Sequence, residues 1–152
     1  MDAEMRFLGA IVILIGLTSA SFASCPAERA IYHQNGKNGI SLTFSKQKDP
    51  KSWSNIQADL AIVGRNFAFE FTESNGYPMK YMVSLDKKWI DKHDISVSFF
   101  DEKLTVLELP QVGKPAPQYI VTPELGLWIE SLGFRSRMYL PPGMWKISGC
   151  QK

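Results

Sequence analysis

Residues 56–85 read IQADLAIVGRNFAFEFTESNGYPMKYMVSL, and the period of two in this stretch decides the fold class. Ile56, Ala58, Leu60 and Ile62 alternate with Gln57, Asp59 and Ala61. Phe67, Phe69 and Phe71 bracket Ala68 and Glu70, and Met79, Tyr81, Val83 and Leu85 bracket Lys80, Met82 and Ser84. Successive side chains of a strand point to opposite faces, so alternation over such lengths marks half-buried strands. The breaks between runs are turn chemistry. Asn75-Gly76 offers two residues that tolerate positive φ, a strong hairpin signal, and Gly64-Arg65-Asn66 is a weaker turn.

The pattern continues on both sides of this stretch. Upstream, Ile40, Leu42 and Phe44 alternate with Ser41, Thr43 and Ser45, and Asn35-Gly36 and Asn38-Gly39 separate them from a first strand near Ala30. Downstream, Ile95, Val97 and Phe99 bracket two serines, Asp101-Glu102-Lys103 makes a turn, and a last strand is expected near 104–109. The spacing predicts a mainly β domain, an antiparallel meander of about six to eight strands forming a small sandwich or barrel. Phe67, Phe69, Phe71, Tyr81 and Trp128 fall on periodic faces and are expected in its core.

Proline then interrupts the pattern. Pro110, Pro115 and Pro117 surround Gly113 and Lys114, which excludes an interior strand and predicts a surface loop from Pro110 to Gln118. One short helix near the C-terminus follows, with Thr122 as N-cap, Pro123 at its first position and Gly133 as its stop. Leu125, Trp128, Ile129 and Leu132 share one face of that helix. Extended segments at 138–140 and 145–147 close the chain around Pro141-Pro142-Gly143.

At 152 residues the chain is sized for one domain, and 45% hydrophobic with 12% aromatic residues excludes a disordered tail protein. Two cysteines and two histidines exclude a multi-disulfide scaffold and argue against a classical zinc module. A net charge of +2 carries no electrostatic footprint of a nucleic-acid partner.

The first residues are an address. Arg6 precedes the apolar run Phe7 to Leu17, and small residues follow, which is the order of a secretory signal. Eleven apolar residues are too few to span a bilayer core of ~30 Å at ~1.5 Å per residue, so no transmembrane helix is expected in the mature chain. Ser21 and Ala23 place cleavage after Ala23, giving a signal peptide 1–23 and a single exported domain 24–152, periplasmic or secreted. Loss of Asp2, Glu4 and Arg6 leaves a mature net charge of +3. Two fates of Cys25 stand at this point. Phe22-Ala23-Ser24-Cys25 has the form of a bacterial lipobox, in which Cys25 carries a lipid anchor, whereas an oxidising compartment favours a disulfide between Cys25 and Cys150.

No nucleophile elbow, phosphate loop or dinucleotide fingerprint occurs, and the sequence names no catalytic residue, metal ligand or cofactor. His33 and His93 read as solvated turn residues. Asp91, His93 and Asp94 are the first place to look for a hydrolase acting on cell-wall or glycan material, which is the alternative function. The leading expectation is an exported binding or interaction protein without catalytic activity, with an unknown protein or glycan as partner. Tyr77, Trp89 and Tyr119 lie in expected turns or loops and are the candidate contact residues, because exposed rings anchor interfaces.

Three short strings add to this. Cys25-Pro26-Ala27-Glu28 with Tyr32, Thr122-Pro123-Glu124-Leu125-Gly126, and Leu140-Pro141 with Gly143-Met144-Trp145 and Cys150 resemble a group of small exported proteins of Gram-negative bacteria that have no assigned function. The resemblance implies export and paired terminal cysteines, and it carries no site residue.

Overall fold

Each alternating run folds as a strand and pairs with its successor. The computed structural model describes residues 25–34, 39–49, 52, 54–62, 64–86, 88, 94–133 and 143–152. The leader, the Asn35-Gly36 turn, Trp89, the Asp91-Lys92-His93 group and the extended segment at 138–140 lie outside them. The strands are β1 (Ala30–Gln34), β2 (Ile40–Lys46), β3 (Ile56–Ile62), β4 (Arg65–Glu73), β5 (Lys80–Ser84), β6 (Ile95–Phe100), β7 (Val106–Leu107), β8 (Tyr119–Val121) and β9 (Met144–Cys150). β1 to β6 follow one another around the sheet, β8 and β9 come next, and β9 returns to β1. The β5–β6 pairing closes this ring into an antiparallel eight-stranded barrel. β7 lies on the same side of β6 as β5 but pairs with its far half, at Phe99 and Phe100.

The barrel is filled by its own side chains, the outcome that eight strands allow. Tyr32, Leu42, Phe44, Leu60, Phe69, Phe71, Phe99 and Trp145 are fully buried. A run of rings crosses the interior, from Tyr32 to Phe44 at 4.9 Å, on to Phe71 at 5.2 Å and to Phe99 at 5.1 Å between centroids. The two contacts of Phe71 are edge-on, the arrangement the ring quadrupole favours. Ser41, Thr43, Gln57, Asp59, Asn66 and Glu70 alternate with the buried positions and face outward, the reverse of a strand barrel bathed in lipid. Among the described residues no helix is long and apolar enough to cross a membrane.

Both ends carry a cover. At the upper end, where β3 turns into β4 through Gly64 at φ 74°, the helix α1 (Leu125–Ser131) lays Leu125, Trp128 and Ile129 against the interior. The Trp128 ring meets Phe67 at 5.8 Å and Phe69 at 5.3 Å. At the lower end, where β4 turns into β5, a single 3-10 turn (Ala27–Arg29) meets the segment 108–118. Ala27 N–H donates to Lys114 C=O at 2.8 Å, Ala116 N–H to Cys25 C=O at 2.9 Å, and the buried Tyr32 hydroxyl to Pro117 C=O at 3.0 Å. The Cys25–Cys150 disulfide, with Cα atoms 5.8 Å apart, ties this cover to the end of β9.

Four expectations need correction. β5 faces the other way: Lys80, Met82 and Ser84 are buried, while Tyr81, Val83 and Leu85 are half-buried on the outer wall and Met79 is exposed. The register explains it, since Phe69, Phe71 and Glu73 stand opposite Ser84, Met82 and Lys80, and partners across a ladder share a face. The segment 110–118 is a loop but not wholly superficial, because Pro110, Ala116 and Pro117 are buried under the barrel. Thr122 does not cap α1 through its side chain; its buried Oγ1 accepts the Trp145 indole N–H at 2.9 Å. His33 belongs to β1, not to a turn.

Candidate binding surface

With the barrel interior occupied by side chains, a binding surface on the described residues has to lie on the outside. Of the large hydrophobic residues exposed among those described, Tyr77, Met79, Leu104 and Val106 lie at the lower end, on the β4–β5 and β6–β7 turns and the start of β7, whereas Leu127 and Met144 lie at the upper end. Tyr77, 71% exposed, follows Gly76, whose φ of 88° is the glycine conformation that an Asn-Gly turn requires. The two turns adjoin because β5 and β7 share one side of β6, and Lys80 links them. Its ammonium, nearly buried at the lower rim, lies 3.2 Å from the Glu108 carboxylate and 3.7 Å from that of Glu73. Burying a lysine is unfavourable unless its charge is met, and these two acids meet it.

Tyr119 differs from its expected place. It opens β8 on the outer wall, half-buried, opposite Phe100 and Lys146. Phe100 in turn stands opposite Val106, so Tyr119, Phe100 and Val106 form a row across three strands on the outer face. The fold thus brings Tyr77 and Tyr119 to the same lower end, while Trp89 lies outside the described residues. The sequence reading missed Met79, Leu104 and Val106. The signal for Val106 was present, since Leu107 and Leu109 pack against the core and leave Leu104 and Val106 exposed.

The β6–β7 turn is strained and fixed at once. Leu104 holds a φ of 63°, costly for a bulky residue. Asp101 compensates by accepting the N–H groups of Lys103 and Thr105, each at 2.8 Å. The Thr105 amide, the Lys103 amide and the Lys103 charge hold the Asp101 carboxyl below its usual range. Beside this turn, Leu107, Glu108, Leu109, Pro110, Gln111, Lys114, Pro115 and Pro117 line a groove of about 290 Å³.

One pairing elsewhere has the look of chemistry. His33 Nδ1 lies 2.6 Å from Ser148 Oγ on the outer wall between β1 and β9. The Ser148 hydroxyl also lies 3.1 Å from Ile31 C=O, so its one proton has two acceptors within reach. A serine nucleophile also needs a third group that orients its base, and none is paired with His33 among the described residues. The pair bridges β1 and β9 at the place where their register shifts, between Ile31 and Tyr32. Asp94 is exposed at the start of β6, and its sequence neighbours Asp91 and His93 lie outside the described residues. Among the described residues no three His, Cys, Asp or Glu side chains are grouped as metal ligands.

Fold and surface together define a closed, side-chain-filled up-and-down barrel, clamped by a terminal disulfide, with an apolar lower rim. Comparison with protein-family models, with curated proteins and with solved structures gives no match.

Proposed function

We propose that the protein is an exported binding module of the bacterial envelope or secreted fraction, acting through its lower outer rim rather than through catalysis. The observation that carries this reading is the gathering of Tyr77, Met79, Leu104 and Val106 at one end of a barrel whose interior is already filled. Exposed apolar groups collected in one place mark contact surfaces, whereas scattered ones do not. Export is supported by the apolar leader, and a disulfide suits an oxidising compartment. The bridge also occupies the Cys25 sulfur that a lipid thioether would need, which favours cleavage after Ala23.

The test is affinity capture from an envelope fraction with the exported, oxidised protein, beside its Tyr77→Ala, Trp89→Ala and Tyr119→Ala variants. A retained partner that is lost from the variants, with melting temperatures nearly unchanged, is the expected result. A hydrolytic activity on cell-wall or glycan material that disappears in Asp91→Ala or His93→Ala would replace the reading. N-terminal sequencing checks the export step, with Ser24 as the expected first residue.

A further inference from the structure

Among the described residues, the eight-stranded ring has no open edge, whereas β7 pairs with β6 alone. At the turn, Asp101 N–H donates to Thr105 C=O at 3.0 Å. The alternation of an antiparallel ladder then bonds Leu107 to Phe99 and turns the main-chain groups of Val106 and Glu108 away from β6. Phe100 agrees with this phase, since its C=O accepts the Gln118 N–H at 2.9 Å on the β8 side. Unpaired donors and acceptors along a strand edge are a template for another strand. The groove beside that edge is apolar where Leu107, Leu109, Pro110 and Pro117 line it. Its two charges are unequal in standing. Glu108 is met by Lys80, whereas Lys114 has no ion pair among the described residues.

We propose that the edge of β7 and its groove receive an extended peptide, which adds as a further strand, sets an apolar side chain in the groove and brings a carboxylate to Lys114. This rests on the binding reading above and narrows it to a partner class. The main-chain edge selects an extended chain over a helix or a glycan, the leucine and proline lining selects an apolar residue, and Lys114, which makes no ion pair among the described residues although Glu28 accepts the neighbouring Gly113 N–H, selects an acid. That acid is an Asp or Glu side chain or a free C-terminus, and amidated peptides tell the two apart.

Random peptides with free C-termini are selected on protein purified from cells expressing the full chain. The winners are synthesised in free and amidated form, and their affinities are measured on wild type, Lys114→Glu and Val106→Pro. Proline at 106 removes the outward N–H, and a glutamate at 114 reverses the groove's charge. Affinity is expected to fall about tenfold or more on each variant, the scale of one hydrogen-bonded or charged contact. The amides of Val106 and Glu108 are expected to gain protection from hydrogen exchange in the complex. Should Val106→Pro fail to fold, Lys114→Glu and the two amides decide. Peptides that bind both variants equally, or that protect no amide between 104 and 109, overturn the edge proposal and leave the binding reading in place. The same holds if no peptide is selected while envelope capture retains a partner. A dimer that Val106→Pro dissolves also overturns it, because the occupant is then a second copy. Blank selection together with blank capture overturns both.

Discussion

Asp101 illustrates how much one side chain does at the rim. Its carboxylate holds two amides of the β6–β7 turn and thereby keeps Leu104 at positive φ and Val106 exposed. Because the folded protein depresses its pKa, the stabilisation is present above the ordinary carboxylate value of ~3.9 and is lost as pH falls through the lower, folded value. The protection of the Lys103 and Thr105 amides, their exchange taken relative to the intrinsic rate at each pH, is expected to fall on acidification below about pH 4. Asp101→Asn should show fast exchange at those two amides already at neutral pH. Equal protection in the variant and the wild type would mean that the backbone alone holds the turn. Asp101-Glu102-Lys103 was legible in the sequence as a turn. The left-handed Leu104 was not, since nothing in a leucine announces that conformation.

At the scale of elements, α1 is the instructive case. Seven residues are too few to be helical alone, and Gly126 costs about 1 kcal/mol against alanine, so the helix exists because its apolar face packs on the barrel. Its face was legible from the spacing of Leu125, Trp128 and Ile129, all buried, and its stop from Gly133 at φ 80°. The role of Thr122 was not, because a hydroxyl that fits a cap equally fits a distant indole. Trp128→Ala removes the ring lodged against Phe67 and Phe69 and is expected to lower stability by about 3–5 kcal/mol. Urea unfolding monitored by circular dichroism measures it. A loss below about 1 kcal/mol would mean that α1 is a loose cover rather than part of the core.

For the whole molecule, the Cys25–Cys150 bridge spans 125 residues of chain and closes nearly all of the domain into one loop. The chain-entropy account assigns such a loop about 5 kcal/mol. Alanine at both cysteines is therefore expected to lower unfolding free energy by roughly that amount, measured in denaturant without reductant. The loss should show first in the lower cover, where Cys25 C=O receives Ala116 N–H and Pro26 stands opposite Pro115. Unchanged stability would place the bridge outside the cooperative unit. Thiol labelling of the unfolded, unreduced protein should find no free cysteine, in keeping with the structure.

The amino-acid sequence by itself determined most of the strands and their turns and the buried face of the helix, because period and turn chemistry are local properties of the chain, but not the three-residue β8, where Tyr119 was expected in a loop. It also left the sign of an alternation open wherever both faces of a strand carry apolar residues. In β5 and the residues flanking it the larger apolar set, Met79, Tyr81, Val83 and Leu85, lost the interior to Lys80, Met82 and Ser84. Only the tertiary structure decided that, and the choice of barrel over sandwich, because both depend on which residue stands opposite which. Phe69 and Phe71 of β4 point inward, their partners must follow, and the β5–β6 pairing closes the ring. The candidate surface is the consequence. Turning β5 sent its aromatic and aliphatic side outward, and pairing β7 with the free half of β6 set Val106 and Leu104 beside it.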